Sequence, residues 1–414
     1  MTEITLKIDS LGAGGDGVAT SPEGVLVFVP LALPGEKVVA ALDGARSCLK
    51  QIVEPSEQRI KPICSHFSQC GGCSLQHFRA EPYHEWKRQQ LRLTLGARGL
   101  DCQVRPLVVN EPGTRWRATL SATRTKKSVL LGYFRRASHD IIDIQQCPVL
   151  RREIVDALPA LRKLVRPLLS RKNIARLSVL VTKGGLDISI DDVKPVEEAD
   201  MRLQLVELCA PIRLARLTVA GEMIIEKDRA TIAFDGLPAI SPPRGFLQAS
   251  QVMQDKMIKH VMGLLADLKR GKALDLYSGM GTFSLPLARR FKLLAVEYDA
   301  AALAALQQAV GFSQGLKTIE TLERDLTLMP LSASELKGYD VVLFDPPRSG
   351  ARAQVTELAK SDVSRLIAIS CSPASFARDA RILIDGGYEL KSLTPFDQFL
   401  YSTHVELVGE FVKR

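Results

Sequence analysis

The chain has 414 residues, of which 46% are hydrophobic and 24% are charged, and its formal net charge at pH 7 is +9. This length allows two or three domains with substantial cores. The chain contains no long low-complexity tract and no run of eighteen apolar residues, so we expect no membrane span. The first ten residues, MTEITLKIDS, lack the basic-then-apolar layout of a secretory signal, which predicts a cytoplasmic protein.

The positive charge is concentrated in one part of the chain. Residues 87–136 contain twelve Lys or Arg against Asp101 and Glu111, whereas residues 271–414 contain sixteen basic and seventeen acidic residues. A single basic residue is more often a solvated surface residue than a ligand contact, but this imbalance predicts a polyanionic partner such as nucleic acid. We therefore expect the N-terminal two thirds to bind that partner and the C-terminal part to carry the chemistry.

The first two of three predicted domains differ in sequence pattern. Residues 1–55 alternate apolar and polar residues between Gly and Pro turns, which predicts a small antiparallel barrel. The glycine cluster at residues 12–17 lacks the Gly-Lys-Ser/Thr ending of a phosphate loop, and no helical pattern follows it. It therefore predicts a tight connection between strands. Residues 56–260 combine cysteines, basic patches, short strands and helices, which indicates an α+β domain.

Residues 261–414 have the regular pattern of an α/β domain. The apolar runs ALDLY, LLAVEY, VVLFD and RLIAIS alternate with helical segments. This alternation predicts a doubly wound, mostly parallel sheet. Ligands of such a sheet bind at the carboxyl ends of its strands.

The start of this domain carries a candidate cofactor site. Its first strand leads into Gly279-Met280-Gly281, where glycines allow the backbone to approach a ligand closely. The next strand ends at Glu297, which could accept hydrogen bonds from both ribose hydroxyls of a nucleoside. Asp325 could contact the adenine edge, although both acids could also be solvated loop residues. The third glycine of a dinucleotide fingerprint is absent, which disfavours NAD and favours S-adenosyl-L-methionine (SAM).

Two later strand ends carry reactive side chains. Asp345-Pro346-Pro347-Arg348 follows the VVLF run, and its prolines predict a rigid protruding turn. The next strand ends at Cys371. A free cysteine is usually a small buried hydrophobe, but a cysteine at a strand end beside a cofactor pocket is a candidate nucleophile.

The motifs DPPRSG, ISCSPASFARD and STHVE resemble those of the RNA (uracil-5-)-methyltransferase family. The whole chain is similar to the branch of that family that methylates 23S rRNA. The resemblance implies a multidomain fold: an OB-like TRAM barrel, a central RNA-binding domain with a [4Fe–4S] cluster, and a C-terminal Rossmann-like SAM domain. It also implies an enzyme that forms 5-methyluridine in RNA, and we expect it to act as a monomer without a membrane partner.

The resemblance implies roles for particular residues. Cys371 matches the nucleophile that adds to carbon 6 of uracil, which gives carbon 5 the carbanion character needed to take a methyl group. Glu406 matches the base that then removes the proton from carbon 5. Asp345 matches the acid that lines the pocket, and Arg348 is expected to orient the uracil. The expected cofactor-binding residues are Gln248, Tyr277, Gly279, Gly281, Thr282, Glu297, Asp325 and Asp345.

The chain departs from the family pattern at three positions. The family commonly has Asn where this chain has Ser372, Thr282 and Ser250. Each substitute is polar and could keep a hydrogen bond, so we expect activity to be retained.

Four cysteines have the spacing of a metal site. Cys64, Cys70 and Cys73 follow a C-x5-C-x2-C pattern, and Cys147-Pro148 lies far downstream. Four thiolates suit either zinc or an iron–sulfur cluster. The resemblance implies [4Fe–4S], with a structural or RNA-positioning role. The remaining cysteines, Cys48, Cys102 and Cys209, are expected to be packing residues.

Three alternatives remain for the function. The substrate could be tRNA, although the tRNA branch generally lacks the barrel and the cluster cysteines. The chain could also be a non-catalytic RNA-binding or assembly factor, which the joint presence of Cys371, Glu406 and Asp345 disfavours. A cytosine-5 methyltransferase is the third alternative, and the STHVE motif favours uracil instead.

Overall fold

The computed structural model describes residues 2–43, 46–170 and 173–414. The helices in these ranges are Ala80–Gly96 (α1), Arg152–Val165 (α2), Ala199–Leu208 (α3), Gln251–Leu264 (α4), Ser284–Leu287 (α5), Ala300–Phe312 (α6), Arg352–Ala359 (α7) and Pro373–Asp385 (α8), and a 3-10 turn covers Arg166–Leu168. The strands are Thr2–Lys7 (β1), Ser10–Leu11 (β2), Gly17–Thr20 (β3), Leu26–Val29 (β4), Lys37–Asp43 (β5), Arg46–Glu54 (β6), Arg117–Arg124 (β7), Val129–Phe134 (β8), Ile141–Asp143 (β9), Ala175–Thr182 (β10), Gly185–Asp191 (β11), Leu214–Val219 (β12), Glu222–Glu226 (β13), Thr231–Phe234 (β14), Leu237–Ile240 (β15), Gly271–Leu276 (β16), Phe291–Glu297 (β17), Ile319–Glu323 (β18), Val341–Phe344 (β19), Arg365–Ser370 (β20), Tyr388–Phe396 (β21) and Glu406–Lys413 (β22).

The N-terminal region is a small all-β unit, as the alternating pattern predicts. Its strands form two three-stranded antiparallel sheets, ordered β1-β5-β6 and β2-β3-β4, rather than one continuous ladder. Their inward side chains, among them Leu6, Val29 and Val38, form a separate apolar core. The glycine cluster is the turn between β2 and β3, where the Gly12 N–H donates to the Asp16 carbonyl. It is therefore a strand connection, as predicted.

The central region is built on a seven-stranded sheet with the order β13-β12-β11-β10-β7-β8-β9. All its neighbours run antiparallel except β11 and β12. Helix α2 packs on this sheet through a strongly one-sided apolar face that includes Ile154, Leu158 and Leu161. Strands and helices in this region do not alternate regularly, unlike those of the C-terminal part. This mostly antiparallel sheet with packed helices is an α+β arrangement.

The C-terminal sheet has the order β18-β17-β16-β19-β20-β22-β21. The first five strands are parallel, and β22 lies antiparallel to both β20 and β21. This is the Rossmann-like arrangement that the sequence predicts, with an antiparallel hairpin added at one edge. The strand order reverses between β16 and β19, which is the point where open α/β sheets bind their ligands.

Helix α1 packs against this C-terminal sheet although it comes early in the chain. Its Leu91 and Leu95 share an apolar core with Leu390 and Leu393 of β21, and the following segment bridges β21 at Val104 and Val108. Within the described ranges, no helix combines the length and apolar character needed to cross a bilayer.

A buried ion pair links α1 to the loop between β21 and β22. The Lys87 ammonium lies 2.6 Å from the Asp397 carboxylate, and their side chains are 1% and 0% exposed. Lys87 also donates to the His404 carbonyl at 2.7 Å, while the Tyr83 hydroxyl bonds both Asp397 and the Tyr401 amide. Burial lowers the pKa of Lys87, and Asp397 opposes that shift. This link fixes residues 397–405 in place.

We predict that Lys87→Met destabilises the protein by about 3–5 kcal/mol, because it leaves the Asp397 carboxylate buried without its cation. The matched control is Lys37→Met, which breaks an exposed Lys37–Glu54 pair and should cost under about 1 kcal/mol. Urea unfolding of the two variants and the wild type measures both values. Equal losses in the two variants would contradict the importance of the buried pair.

Candidate active site

The turn after β16 is shaped for close approach of a ligand. Tyr277 has a φ of 60°, and Gly279 and Gly281 have φ of 53° and 96°, respectively. A Cβ on Gly281 would lie 2.5 Å from Leu306 Cδ1 on α6, whereas a Cβ on Gly279 would meet no atom of the described chain within 4 Å. Gly281 is therefore needed for packing of the turn against α6, and Gly279 borders open space.

Glu297 ends β17 and is tied to this turn. Its Oε2 accepts from the Gly279 N–H at 3.0 Å, and its Oε1 accepts from the Tyr298 and Asp299 N–H groups at 2.8 and 3.1 Å. A carboxylate has about four acceptor sites, so three backbone bonds leave capacity for a ligand hydroxyl. Asp325 follows β18 and accepts from the Thr327 N–H at 2.8 Å.

Asp275 is a buried acid in this region that sequence reasoning did not single out. It lies within β16, and its Oδ2 accepts from the Ser284 hydroxyl at 2.5 Å. Burial raises its pKa to about 7, and the charges of Asp345 and Glu297 act in the same direction. Asp275 is the single acid in the apolar run ALDLY, and nothing in that pattern sets it apart from the other residues of the strand.

A chain of hydrogen bonds joins the two acids expected to act in catalysis. Asp345 follows β19, and Glu406 begins β22. Gln248 Nε2 donates to Asp345 Oδ2 at 3.2 Å. Gln398 Nε2 donates both to Gln248 Oε1 at 2.7 Å and to Glu406 Oε2 at 3.1 Å. Burial raises the pKa of Asp345 to about 7, and burial followed by the charge of Asp345 raises the pKa of Glu406 well above its ordinary value.

Gln398 was not identified from the sequence. It lies seven residues before the STHVE motif's valine and next to Asp397 in a stretch without periodicity. Two carboxyl groups such as Asp345 and Glu406 need hydrogen-bond donors when they are buried. A glutamine close to Glu406 in the sequence was therefore the one signal that could have indicated Gln398. The backbone of Gln248, in turn, is held by the Trp116 indole N–H, which donates to its carbonyl at 2.7 Å.

Cys371 directly follows β20 and is half-buried at the same strand edge. Burial raises the pKa of its thiol, and the charges of Glu406 and Asp345 add to the shift, whereas Arg348 opposes it through its charge and a hydrogen bond. Arg348 is exposed, and its Nη2 lies 2.9 Å from His404 Nδ1. The structure therefore brings together Cys371, Glu406, Asp345 and Arg348.

Two of the three departures from the family pattern are helix N-caps. The Ser372 hydroxyl accepts from the Ser375 N–H at the start of α8, and the Ser250 hydroxyl accepts from the Met253 N–H at the start of α4. Ser and Asn cap helices about equally well, so the replacement of Asn by Ser keeps the local geometry. The structure gives no comparable contact for Thr282.

The four clustered cysteines line one cavity of about 250 Å³, together with Tyr133 and residues of the 397–405 loop that include Phe399 and His404. Burial raises the pKa of Cys70, Cys73 and Cys147, and the neighbouring cysteines raise it further. Within the described residues, no group of three or more His, Cys, Asp or Glu side chains is arranged to hold a single metal ion.

Known proteins are similar to this chain over its whole length. Residues 108–414 match the family described as tRNA (Uracil-5-)-methyltransferase. An uncharacterized RNA methyltransferase of Brucella suis is 44% identical over 99% of this chain and 98% of its own length. The 23S rRNA (uracil(1939)-C(5))-methyltransferase of Yersinia enterocolitica is 29% identical over 99% of this chain and 95% of its own length.

A solved structure has the same fold. The crystal structure of the Pyrococcus abyssi tRNA (uracil-54, C5)-methyltransferase in complex with S-adenosyl-L-homocysteine matches 99% of this chain and 99% of its own, with a TM-score of 0.75 and 24% sequence identity. The three-part architecture described above is therefore one that a known methyltransferase adopts.

We predict a pH-dependent effect of Asp275→Asn on stability. The raised pKa of Asp275 means that the folded protein binds its proton more tightly than the unfolded chain does. The stability of the wild type therefore falls as the pH rises from about 4 to about 7. The variant lacks this loss and should gain, relative to the wild type, up to about 3 kcal/mol between pH 5 and pH 8, at about 1.4 kcal/mol per pKa unit. Denaturant unfolding at several pH values measures it.

The exposed Asp362 provides a control, since Asp362→Asn should follow the wild type over the same range. A constant difference between the Asp275→Asn variant and the wild type at all pH values would contradict the raised pKa.

Proposed function

The chain belongs to the RNA (uracil-5-)-methyltransferase family, and we propose that it methylates uridine in 23S rRNA through a covalent bond between Cys371 and the base. It is a SAM-dependent enzyme that methylates carbon 5 of uridine in RNA. The observation that carries the covalent mechanism is the convergence of a half-buried thiol, two acids of raised pKa and one guanidinium at the carboxyl edge of the sheet.

The first step needs a thiolate, and the pocket explains how one forms. The pKa of the Cys371 thiol is raised, so the nucleophile is stored as a thiol and must lose its proton when the base binds. Asp345, with a pKa of about 7, accepts that proton near neutral pH. Arg348 stabilises the thiolate and the charge that develops on the uracil oxygen. The thiolate then adds to carbon 6.

Glu406 is the proposed base in the second half of the reaction. Bound SAM would supply the methyl group to the nucleophilic carbon 5 and leave as S-adenosyl-L-homocysteine. Glu406 then removes the proton from carbon 5, the double bond re-forms, and Cys371 leaves as a thiolate that regains its proton from Asp345. A carboxylate of raised pKa is a stronger base than an exposed one, which suits removal of a carbon-bound proton. Burial of Glu406 thus serves the chemistry.

Residues at the ends of β16, β17 and β18 would hold the cofactor. Gly279 and Gly281 shape the turn, Glu297 retains acceptor capacity for the ribose hydroxyls, and Asp325 lies at the next strand end. Gln248, Tyr277 and Thr282 complete the proposed set. Gln248 donates a hydrogen bond to Asp345. One side chain would therefore contact both the cofactor and an acid that faces the uracil.

The choice of 23S rRNA rests on sequence rather than on architecture. The Yersinia relative, whose name specifies 23S rRNA, matches nearly the whole chain. The Pyrococcus enzyme, whose name specifies tRNA, shares the same overall fold, so the fold alone does not select between the two RNAs. The cysteine pattern favours the ribosomal substrate, whereas the basic segment at residues 87–136 fits either RNA.

We also propose that Cys64, Cys70, Cys73 and Cys147 hold a [4Fe–4S] cluster. Four thiolates suit zinc as well as an iron–sulfur cluster, and the resemblance of the cysteine pattern to the 23S rRNA branch favours the cluster. Cys64, Cys70, Cys73 and Cys147 line one cavity, where their thiolates would hold the cluster. Because residues of the 397–405 loop line this cavity, the cluster would support the loop that carries Gln398 and precedes Glu406.

The covalent mechanism and the substrate are tested with labelled SAM and transcripts of rRNA and tRNA. We expect 5-methyluridine in the rRNA, mapped by mass spectrometry, and a loss of more than about 10⁴-fold in activity in Cys371→Ala. The matched control is Cys102→Ala, another partly buried free cysteine, which should retain activity. Methylation by the Cys371→Ala variant would refute the covalent step, and methylation of tRNA alone would refute the rRNA assignment.

The metal is tested by elemental analysis of protein purified without oxygen. We expect about four iron and four sulfide per chain, a brown colour, and loss of both iron and colour in Cys147→Ser. The control is Cys48→Ser, an exposed cysteine outside the cavity. One zinc per chain, with no iron, would contradict the cluster.

A further inference from the structure

We infer that Gln398 is a positioning residue that holds the carboxylate of Glu406 for proton abstraction and couples it to Asp345 through Gln248. This inference rests on the proposed role of Glu406 as the base. Gln398 follows β21, and Glu406 begins β22, so the two residues lie on the two sides of one hairpin. Both side chains are almost completely buried, with residue exposures of 3% each.

The orientation of the Gln398 amide is dictated by its partners. Its Nε2 donates to two oxygen atoms, Gln248 Oε1 and Glu406 Oε2. A flipped amide would place an oxygen against both of these acceptors, which is unfavourable in a buried site. The amide of Gln248 is oriented in the same way, because its own Nε2 donates to Asp345. The chain from Asp345 to Glu406 therefore has one consistent direction.

This direction favours the form of Glu406 that can accept a proton. A donor aimed at a carboxylate stabilises the charged form and lowers its pKa, and the bond from Gln398 has this effect on Glu406. The other charged or titratable groups that act on Glu406 are Asp345, Arg348 and Cys371. Burial and Asp345 disfavour the carboxylate, so Gln398 and Arg348 oppose them.

Gln398 also fixes where the carboxylate lies. Its second bond, to Gln248, anchors the amide to a side chain whose backbone is held by Trp116. The neighbouring Asp397 is held by Lys87. Gln398 is thus held through its amide by Gln248 and through its neighbour Asp397 by Lys87. The Glu406 oxygen that it binds is therefore held in one position relative to the bound uracil.

The main test uses Gln398→Met, which keeps the length of the side chain and removes both donated bonds. Glu406 acts after methyl transfer, so slower proton removal should leave a methylated RNA–protein adduct on Cys371. We expect the rate of adduct release to fall roughly 10- to 100-fold, as loss of a hydrogen bond to a charged group predicts. Release should fall more than methyl transfer does, because Gln398 bonds Glu406 directly and reaches Asp345 only through Gln248. Denaturing gels with label in the SAM methyl group follow both steps.

The pH profile separates positioning from a general loss of structure. Without the donor the pKa of Glu406 rises, and the carboxylate is the active form, so the pH needed for release should shift upward. Gln398→Glu is a second variant of the same length, and its added carboxyl should shift release in the same direction. The control is Gln254→Met, since Gln254 is another buried glutamine, on α4, and this variant should behave as the wild type.

The variants distinguish the role of Glu406 as the base from the role of Gln398 in positioning it. Glu406→Gln should trap the adduct by itself, and failure to do so would overturn the assignment of the base together with this inference. If Glu406→Gln traps the adduct but both Gln398 variants release it at the wild-type rate and pH, the inference about Gln398 alone is overturned. Equal loss of methyl transfer and release at every pH in the Gln398 variants would also overturn it, because it would show a merely structural role.

Discussion

The buried pair of Lys87 and Asp397 is the contact on which the catalytic end of the molecule depends. Lys87 comes from a helix early in the chain, and Asp397 begins the loop before the last strand. Lys87 also bonds the carbonyl of His404, so a single ammonium holds both ends of the 397–405 loop. Residues more than 300 positions apart thus cooperate in placing Gln398 and Glu406.

Burial governs the chemistry of the pocket as well as its shape. Glu406 is buried and Asp345 is partly buried, and the loss of contact with water raises the pKa of both carboxyl groups. A pocket with two fully ionised acids would repel the electron-rich enolate formed from uracil. Two side-chain amides donate hydrogen bonds to these acids, and one guanidinium balances part of their charge. The proposed mechanism needs this balance, because one acid must take a proton from Cys371 and the other a proton from carbon 5.

Much of the fold and of the site could be predicted from the sequence, for physical reasons that differ between residues. The apolar runs predicted the parallel strands. Glu297, Asp345 and Cys371 could be singled out because they follow or end such runs, and ligands bind where parallel strands end. The antiparallel hairpin of β21 and β22 and the amide of Gln398 could not be predicted, since they depend on contacts between distant segments. The roles of Ser250 and Ser372 as caps also emerged only from the structure.

The most direct measurement of the central claim is the intact mass of the protein after reaction with SAM and an RNA that contains 5-fluorouridine. Fluorine at carbon 5 cannot be removed by a base, so the mechanism must stop after methyl transfer. We expect a stable, methylated RNA adduct on Cys371, found by peptide mapping. Absence of any adduct from a preparation that methylates the ordinary RNA, or an adduct on another residue, would contradict it.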